Sequence, residues 1–145
     1  MKTEFRKAVM PREVRSLMAF DRRIFPKSDC FTADYWLACE PWWMLAGGRR
    51  VGCCAFEKGK KSLYISTTGI LPKYQGMGFG QLMKAWEISY ARYHGYQKIV
   101  TNTRKSNAAM IAVNKKFGFR VVRTMPRHYD QPVEPGVLME LVLSR

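Results

Sequence analysis

A chain of 145 residues, 47% of them hydrophobic, is long enough for one domain with a sizeable core. Its 25 Lys and Arg against 11 Asp and Glu leave a net charge of +14, a surface that attracts and steers anions. No apolar run approaches the length of a membrane span, Met1 to Arg12 is charged where a secretory leader is apolar, and Cys30, Cys39, Cys53 and Cys54 lack metal-ligand spacing. The expectation is one domain over 1–145, cytoplasmic, with reduced thiols, no metal and no membrane partner.

Glu4 to Val9 reads as a first strand. Pro11 to Phe25 reads as a helix with Val14, Leu17, Met18 and Phe25 apolar, Pro11 near its start and Pro26 stopping it. Thr32 to Cys39 is predicted to be a short helix with Thr32 as N-cap. Trp42 to Ala46, Gly47-Gly48, and Arg50 to Glu57 read as a hairpin, in which adjacent Cys53 and Cys54 point to opposite faces. Leu63 onward is a strand rich in β-branched and aromatic residues. The next helix carries Phe79, Leu82, Met83, Trp86, Tyr90 and Tyr93 at spacings of three and four, and ends at Gly95. Lys98 to Thr103 is a strand, Asn107 opens a helix, and Arg120 to Met125 and Val137 to Leu143 are strands joined by a Pro-rich polar loop. The order is α/β with a mixed sheet.

Between the Leu63 strand and its helix stands Gln75-Gly76-Met77-Gly78-Phe79-Gly80. A helix N-terminus has unpaired N–H groups and the positive end of the macrodipole, glycines let an anion reach the backbone, and no acid occupies the first turn. The run is not the P-loop pattern G-x-x-x-x-G-K-S/T. Nor is it G-x-G-x-x-G followed by a ribose-binding acid about twenty residues on. It points to a nucleotide-like ligand, or else is a Gly-rich connector.

Gln75, Gly78 and Gly80 match Q/R-x-x-G-x-G/A in register, and the Asn107 helix closes on Lys116-Phe117-Gly118-Phe119. On these two motifs the sequence resembles the GCN5-related N-acetyltransferase (GNAT) superfamily, well from Val51 to Leu143 and more loosely before. The resemblance implies a mixed, mostly antiparallel central sheet flanked by helices, with parallel strands 4 and 5 splayed apart. It also implies transfer of an acetyl group from acetyl-CoA, as co-substrate, to a primary amine by direct attack on the thioester. Backbone groups from Gln75 through Gly76, Met77, Gly78, Phe79 and Gly80 would hold the pyrophosphate. Those near Ile70 and Leu71 would bond the pantetheine arm, and an N–H at the splay would polarise the thioester carbonyl. Asn107 is either an N-cap or a contact to the arm, and serves both only if its carbonyl and amide are divided.

The sequence departs from that family at two catalytic positions. A Tyr that protonates the leaving thiolate in many members is Asn114 here, which hydrogen-bonds but donates no proton. A Glu base on the fifth strand of several members is Asn102. An amine with a pKa near 10 must lose a proton before attack, so replacements are sought. Tyr129 and His128 lie before the last strand, together with Asp130 and Glu134. Asp29 and Asp34 are candidates to recruit a cationic amine, Trp36, Trp42 and Trp43 are candidates to floor an acceptor pocket, and a water chain is the remaining route.

The charge excess has three readings: a solvated basic surface, attraction of coenzyme A, and docking to RNA or a ribosome. Function therefore divides among an acetyltransferase for a small or protein amine, an RNA- or ribosome-associated one acting on aminoacyl-tRNA or a protein N-terminus, and a catalytically silent acyl-CoA-binding module. The resemblance also allows a homodimer, for which the sequence carries no interface signal.

Overall fold

Seven strands join in the order β1-β2-β3-β4-β5-β7-β6 in the computed structural model, which describes residues 2–143. They are β1 Thr3–Lys7, β2 Glu40–Ala46, β3 Arg49–Lys58, β4 Ser62–Ile70, β5 Lys98–Arg104, β6 Arg120–Tyr129 and β7 Glu134–Val142. Helices α1 Val14–Ile24, α2 Ala33–Ala38, α3 Phe79–Tyr93 and α4 Ala108–Lys116 connect them. Every strand pair is antiparallel except β4 with β5. This is the mixed sheet that the sequence led us to expect.

Two apolar layers sandwich the sheet. On one face Leu17, Phe20, Trp36, Trp43, Cys53 and Ala55 pack together; on the other Met44, Cys54, Phe56, Ile65, Met83, Tyr90, Ile99 and Met139 do. Cys53 and Cys54 thus fall on opposite faces, as strand alternation requires. At the β2–β3 turn Gly47 and Gly48 both have positive φ, 58° and 79°, the pairing that a two-residue type I′ turn demands.

Besides shifts of a residue or two at strand and helix ends, three features differ from the sequence reading. Helix α1 begins three residues after Pro11, at Val14, with Glu13 in the cap position. The buried face of α3 is Phe79, Met83, Lys84, Glu87, Tyr90 and Ala91, whereas Leu82 is 47% and Tyr93 87% exposed. An ion pair therefore completes a stripe that apolar spacing alone assigned to outward residues. Finally, β6 runs on to Tyr129 and β7 starts at Glu134, so the expected loop shrinks to a turn. A register shift between Met125 and Tyr129, with Arg127 at φ 54°, absorbs the extra residues and lets Tyr129 pair with Glu134.

Helix α1 buries Asp21 to 2% exposure, with its Oδ2 accepting from Phe31 N–H at 2.7 Å. Burial pushes this carboxyl up to about 6 against the opposing pull of that hydrogen bond. The folded chain therefore keeps the proton to higher pH than the unfolded chain does. Stability from this group is greatest below about pH 4 and is lost as pH rises toward about 6. Asp21→Asn keeps an acceptor for Phe31 and removes the titration. Its melting temperature should rise relative to the wild type by roughly 5 °C, about 2 kcal/mol, between pH 4 and 7 in paired thermal melts.

Candidate functional site

The parallel pairing of β4 with β5 covers only four residue pairs, from Ser62↔Lys98 to Ile65↔Thr101, although both strands continue. The cause is local. Ala55 pairs with Thr67 and Phe56 with Ile65, so Ser66 is an extra residue on β4, a bulge that turns the strand away from its neighbour. Thr101 Oγ1 donates to Ile65 O at 2.9 Å and closes the last paired position. Beyond it a cleft of about 910 Å³ opens between the strands.

At one end of this cleft lies the start of α3. The first amide bonded within the helix is Leu82 N–H, to Gly78 O at 3.2 Å. The amides of Phe79, Gly80 and Gln81 precede it and have no helical acceptor. Gly76 and Gly78 hold φ of 78° and 89°, and a Cβ on Gly76, Gly78 or Gly80 would meet nothing within 4 Å. The glycines therefore line open space, not a crowded turn. Gln75 Nε2 donates to Ile70 O at 3.0 Å and ties this loop back to β4. Met77 is 58% exposed and Phe79 packs into the core, so these two offer only backbone groups.

Leu71 N–H donates to Val51 O at 2.9 Å, so it belongs to the sheet and faces away from the cleft. Strand alternation then turns the N–H and C=O of Ile70 toward the gap, where the carbonyl meets Gln75. Of the two backbone positions named from sequence, Ile70 is the one whose amide is free to bind.

Asn107 Oδ1 accepts from Met110 N–H at 3.2 Å and caps α4, while the residue also lines the cleft. Its carbonyl is spent on the cap, and its amide nitrogen is what remains for a ligand. Asn114 is fully buried. Its Nδ2 donates to Met139 Sδ at 3.6 Å and its Oδ1 has no partner among the described residues. What it offers the cleft is therefore an acceptor.

At the other end, Tyr129 hydroxyl donates to Asn102 Oδ1 at 3.3 Å, so the strand-5 amide and the β6 tyrosine named from sequence meet. Burial, then the neighbouring Tyr64 and the charge of Asp29, pushes Tyr129 up to about 12, and the phenol stays protonated at neutral pH. Burial also raises the pKa of Tyr64, the charge of Glu57 adds to the rise, and nearby Asn102 opposes it. His128 stacks edge-on against Tyr129, with centroids 4.8 Å apart, and also lines the cleft.

Other expectations are corrected. Asp29 and Glu134 are both held by Arg104, at 2.7 and 2.9 Å, and are unavailable to a substrate. Arg104 further donates to the Asp130 and Pro132 carbonyls, clamping the β6–β7 turn against the segment after α1. Asp34 does not line the cleft. Trp36 and Trp43 are core residues, and half-buried Trp42 packs on Trp86 and Tyr90, so none floors a pocket. Sequence reading missed Tyr35, whose hydroxyl donates to Glu57, and the buried Lys84–Glu87 pair at 2.8 Å. The only local signal for that pair was its i,i+3 spacing on a helix.

An open glycine cradle at a helix N-terminus, a gap flanked by an unpaired strand amide, and an orphaned buried acceptor fit a ligand with phosphates at one end and a thin amide-bearing arm.

A family model described as "Acetyltransferase (GNAT) family" matches residues 12–119. Among curated proteins, the chain is 31% identical over 87 residues to the probable N-acetyltransferase san of Drosophila melanogaster, covering 58% of this chain and 47% of that one. It is 29% identical over 97 residues to N-alpha-acetyltransferase 50 of Danio rerio, covering 63% and 58%. The chain thus spans about half the length of the curated relatives it matches. The crystal structure of the ribosomal-protein-S18-alanine N-acetyltransferase from Escherichia coli has the same fold, with a TM-score of 0.88 at 15% identity over 99% of this chain and 96% of that one. An acetyltransferase of Bacillus subtilis in complex with CoA gives 0.81 at 20% identity over 99% and 100%.

Proposed function

The chain belongs to the acetyltransferase (GNAT) family, and from that premise we propose that it transfers an acetyl group from acetyl-CoA to a primary amine by direct attack, with both substrates bound together. The observation that carries this reading is the continuous cleft between β4 and β5, which joins the glycine cradle of α3 to the Tyr64–Asn102–Tyr129 cluster. Relatives named as N-acetyltransferases support the reaction class.

Acetyl-CoA would supply the activated acyl group as a thioester. The amides of Phe79, Gly80 and Gln81 would take its phosphates at the positive end of α3. Ile70 N–H, the amide nitrogen of Asn107 and the carbonyl of Asn114 would hold its arm. Beyond the bulge at Ser66 β4 has no backbone partner on β5, which leaves the amide of Ile70 unpaired on that side.

Tyr129 is assigned as a hydrogen-bond donor to charge that develops on the departing sulfur. Its proton stays on oxygen, held above the range in which a thiolate would remove it. Before the substrates bind, that single O–H is held by Asn102 Oδ1 at 3.3 Å, and donation to sulfur requires it to rotate off this acceptor. The amine's own proton leaves through water, since neither Asn102 nor Asn114 is a base.

The test is release of free thiol from acetyl-CoA in the presence of a panel of primary amines. Turnover is expected for the wild type. In Tyr129→Phe, kcat should fall by roughly 100-fold with KM nearly unchanged, the effect of deleting one donor to developing charge. Equal kcat in the two proteins would remove Tyr129 from the reaction.

A further inference from the structure

Two carboxylates line the cleft, Asp29 and Glu57, and two cations, Lys84 and Arg104. Three of these four charges are matched. Arg104 holds Asp29 through two contacts, at 2.7 and 2.9 Å, and Lys84 lies 2.8 Å from Glu87. Glu57, at the end of β3, has no cationic partner among the described residues; its one hydrogen bond comes from Tyr35 hydroxyl. It is exposed, and it shares the cleft wall with the rings of Phe31, Tyr35 and Tyr64. Glu57 and Tyr35 also border a second hollow of about 740 Å³.

In a chain of net charge +14, a solvent-facing carboxylate left unmatched among aromatic rings marks a place for a positive group. The long-range field of the protein opposes a cation, but it is screened beyond about 8 Å at physiological ionic strength, so a short-range contact can prevail. The reacting amine itself is a poor choice of occupant. A carboxylate beside it would stabilise its protonated, unreactive form.

We infer that Glu57, with the rings of Phe31, Tyr35 and Tyr64, binds a second, non-reacting cationic group of the acceptor, so that the acceptor class is an amine bearing another positive charge. This rests on the acetyltransferase reading for the identity of the first amine. The binding site itself is testable without turnover.

Butanediamine and hexanediamine are compared with butylamine and hexylamine by calorimetric titration into the wild type and Glu57→Gln. Each diamine should bind the wild type about tenfold more tightly than its monoamine, and the difference should vanish in Glu57→Gln, whose amide still accepts from Tyr35. Equal affinity within each pair for the wild type, or a difference that survives in Glu57→Gln, overturns the inference. The wild-type comparison stands even if the variant fails to fold, and Glu57→Asp, with its carboxylate withdrawn by one methylene, gives a second variant in which the preference should weaken. Acetyl-CoA titrated separately into the same wild-type protein reports on the acetyltransferase reading alone.

Discussion

Acetyl-CoA should bind the wild type and fail to bind Gly78→Glu, with affinity reduced at least ~100-fold in calorimetric titration, about 2.7 kcal/mol. Two effects of the substitution act together. Gly78 sits at φ 89°, where an L side chain costs roughly 1–2 kcal/mol. The new side chain would enter open space and place a carboxylate at the positive end of α3, where the phosphates are proposed to lie. Gly78→Ala separates these effects, because it carries the backbone cost without the charge. It should melt a few degrees lower and lose much less affinity. Equal binding by wild type and Gly78→Glu would exclude the α3 N-terminus as the anion site. No binding by the wild type at millimolar ligand would defeat the acetyltransferase reading as a whole.

The largest stability effect is expected at Lys84. Its side chain is 1% exposed, and its ammonium lies 2.8 Å from the carboxylate of Glu87, itself fully buried. Thr68 Oγ1 donates to the other Glu87 oxygen at 2.6 Å, and the Lys84 ammonium lies 5.2 Å from the centre of the Phe119 ring. Lys84→Met would leave a carboxylate buried beside one hydroxyl, at a cost of about 3–5 kcal/mol. That corresponds to a fall of roughly 10 °C in melting temperature for a chain of this size. Adding Glu87→Leu should return most of the loss, since apolar residues of similar volume replace buried ion pairs at little cost. If the double variant melts as low as the single one, the pair is not what stabilises this face of α3.

The architecture was legible because its signals are local. The order of strands and helices, the Gly47-Gly48 turn, the Thr32 cap and the α3 glycines each follow from neighbouring residues. The charged groups of the site were not legible for the opposite reason. Arg104 reaches Asp29 across 75 positions and Glu134 across 30, so nothing in the sequence tells that two candidate substrate acids are already engaged. A separation of 22 positions likewise hid the meeting of Tyr35 with Glu57. Ser66 is an ordinary strand residue by composition, and only the unequal count of residues on β3 and β4 reveals it as the bulge. Tyr129 was named as a loop residue and turned out to be a strand residue, because one positive φ at Arg127 lets the hairpin resume.

The four-pair seam between β4 and β5 divides the sheet into two blades, one of four strands and one of three, joined along a short edge at one end. Such a body resembles a clothes-peg more than a plate. Backbone pairing joins the two blades only as far as Ile65 and Thr101, so a ligand lying between the jaws would join them where the sheet does not. The one described ion pair at the other end of the jaws, Asp29 with Arg104 at 2.7 Å, then ties the segment after α1 to β5 by side chains in place of backbone pairing.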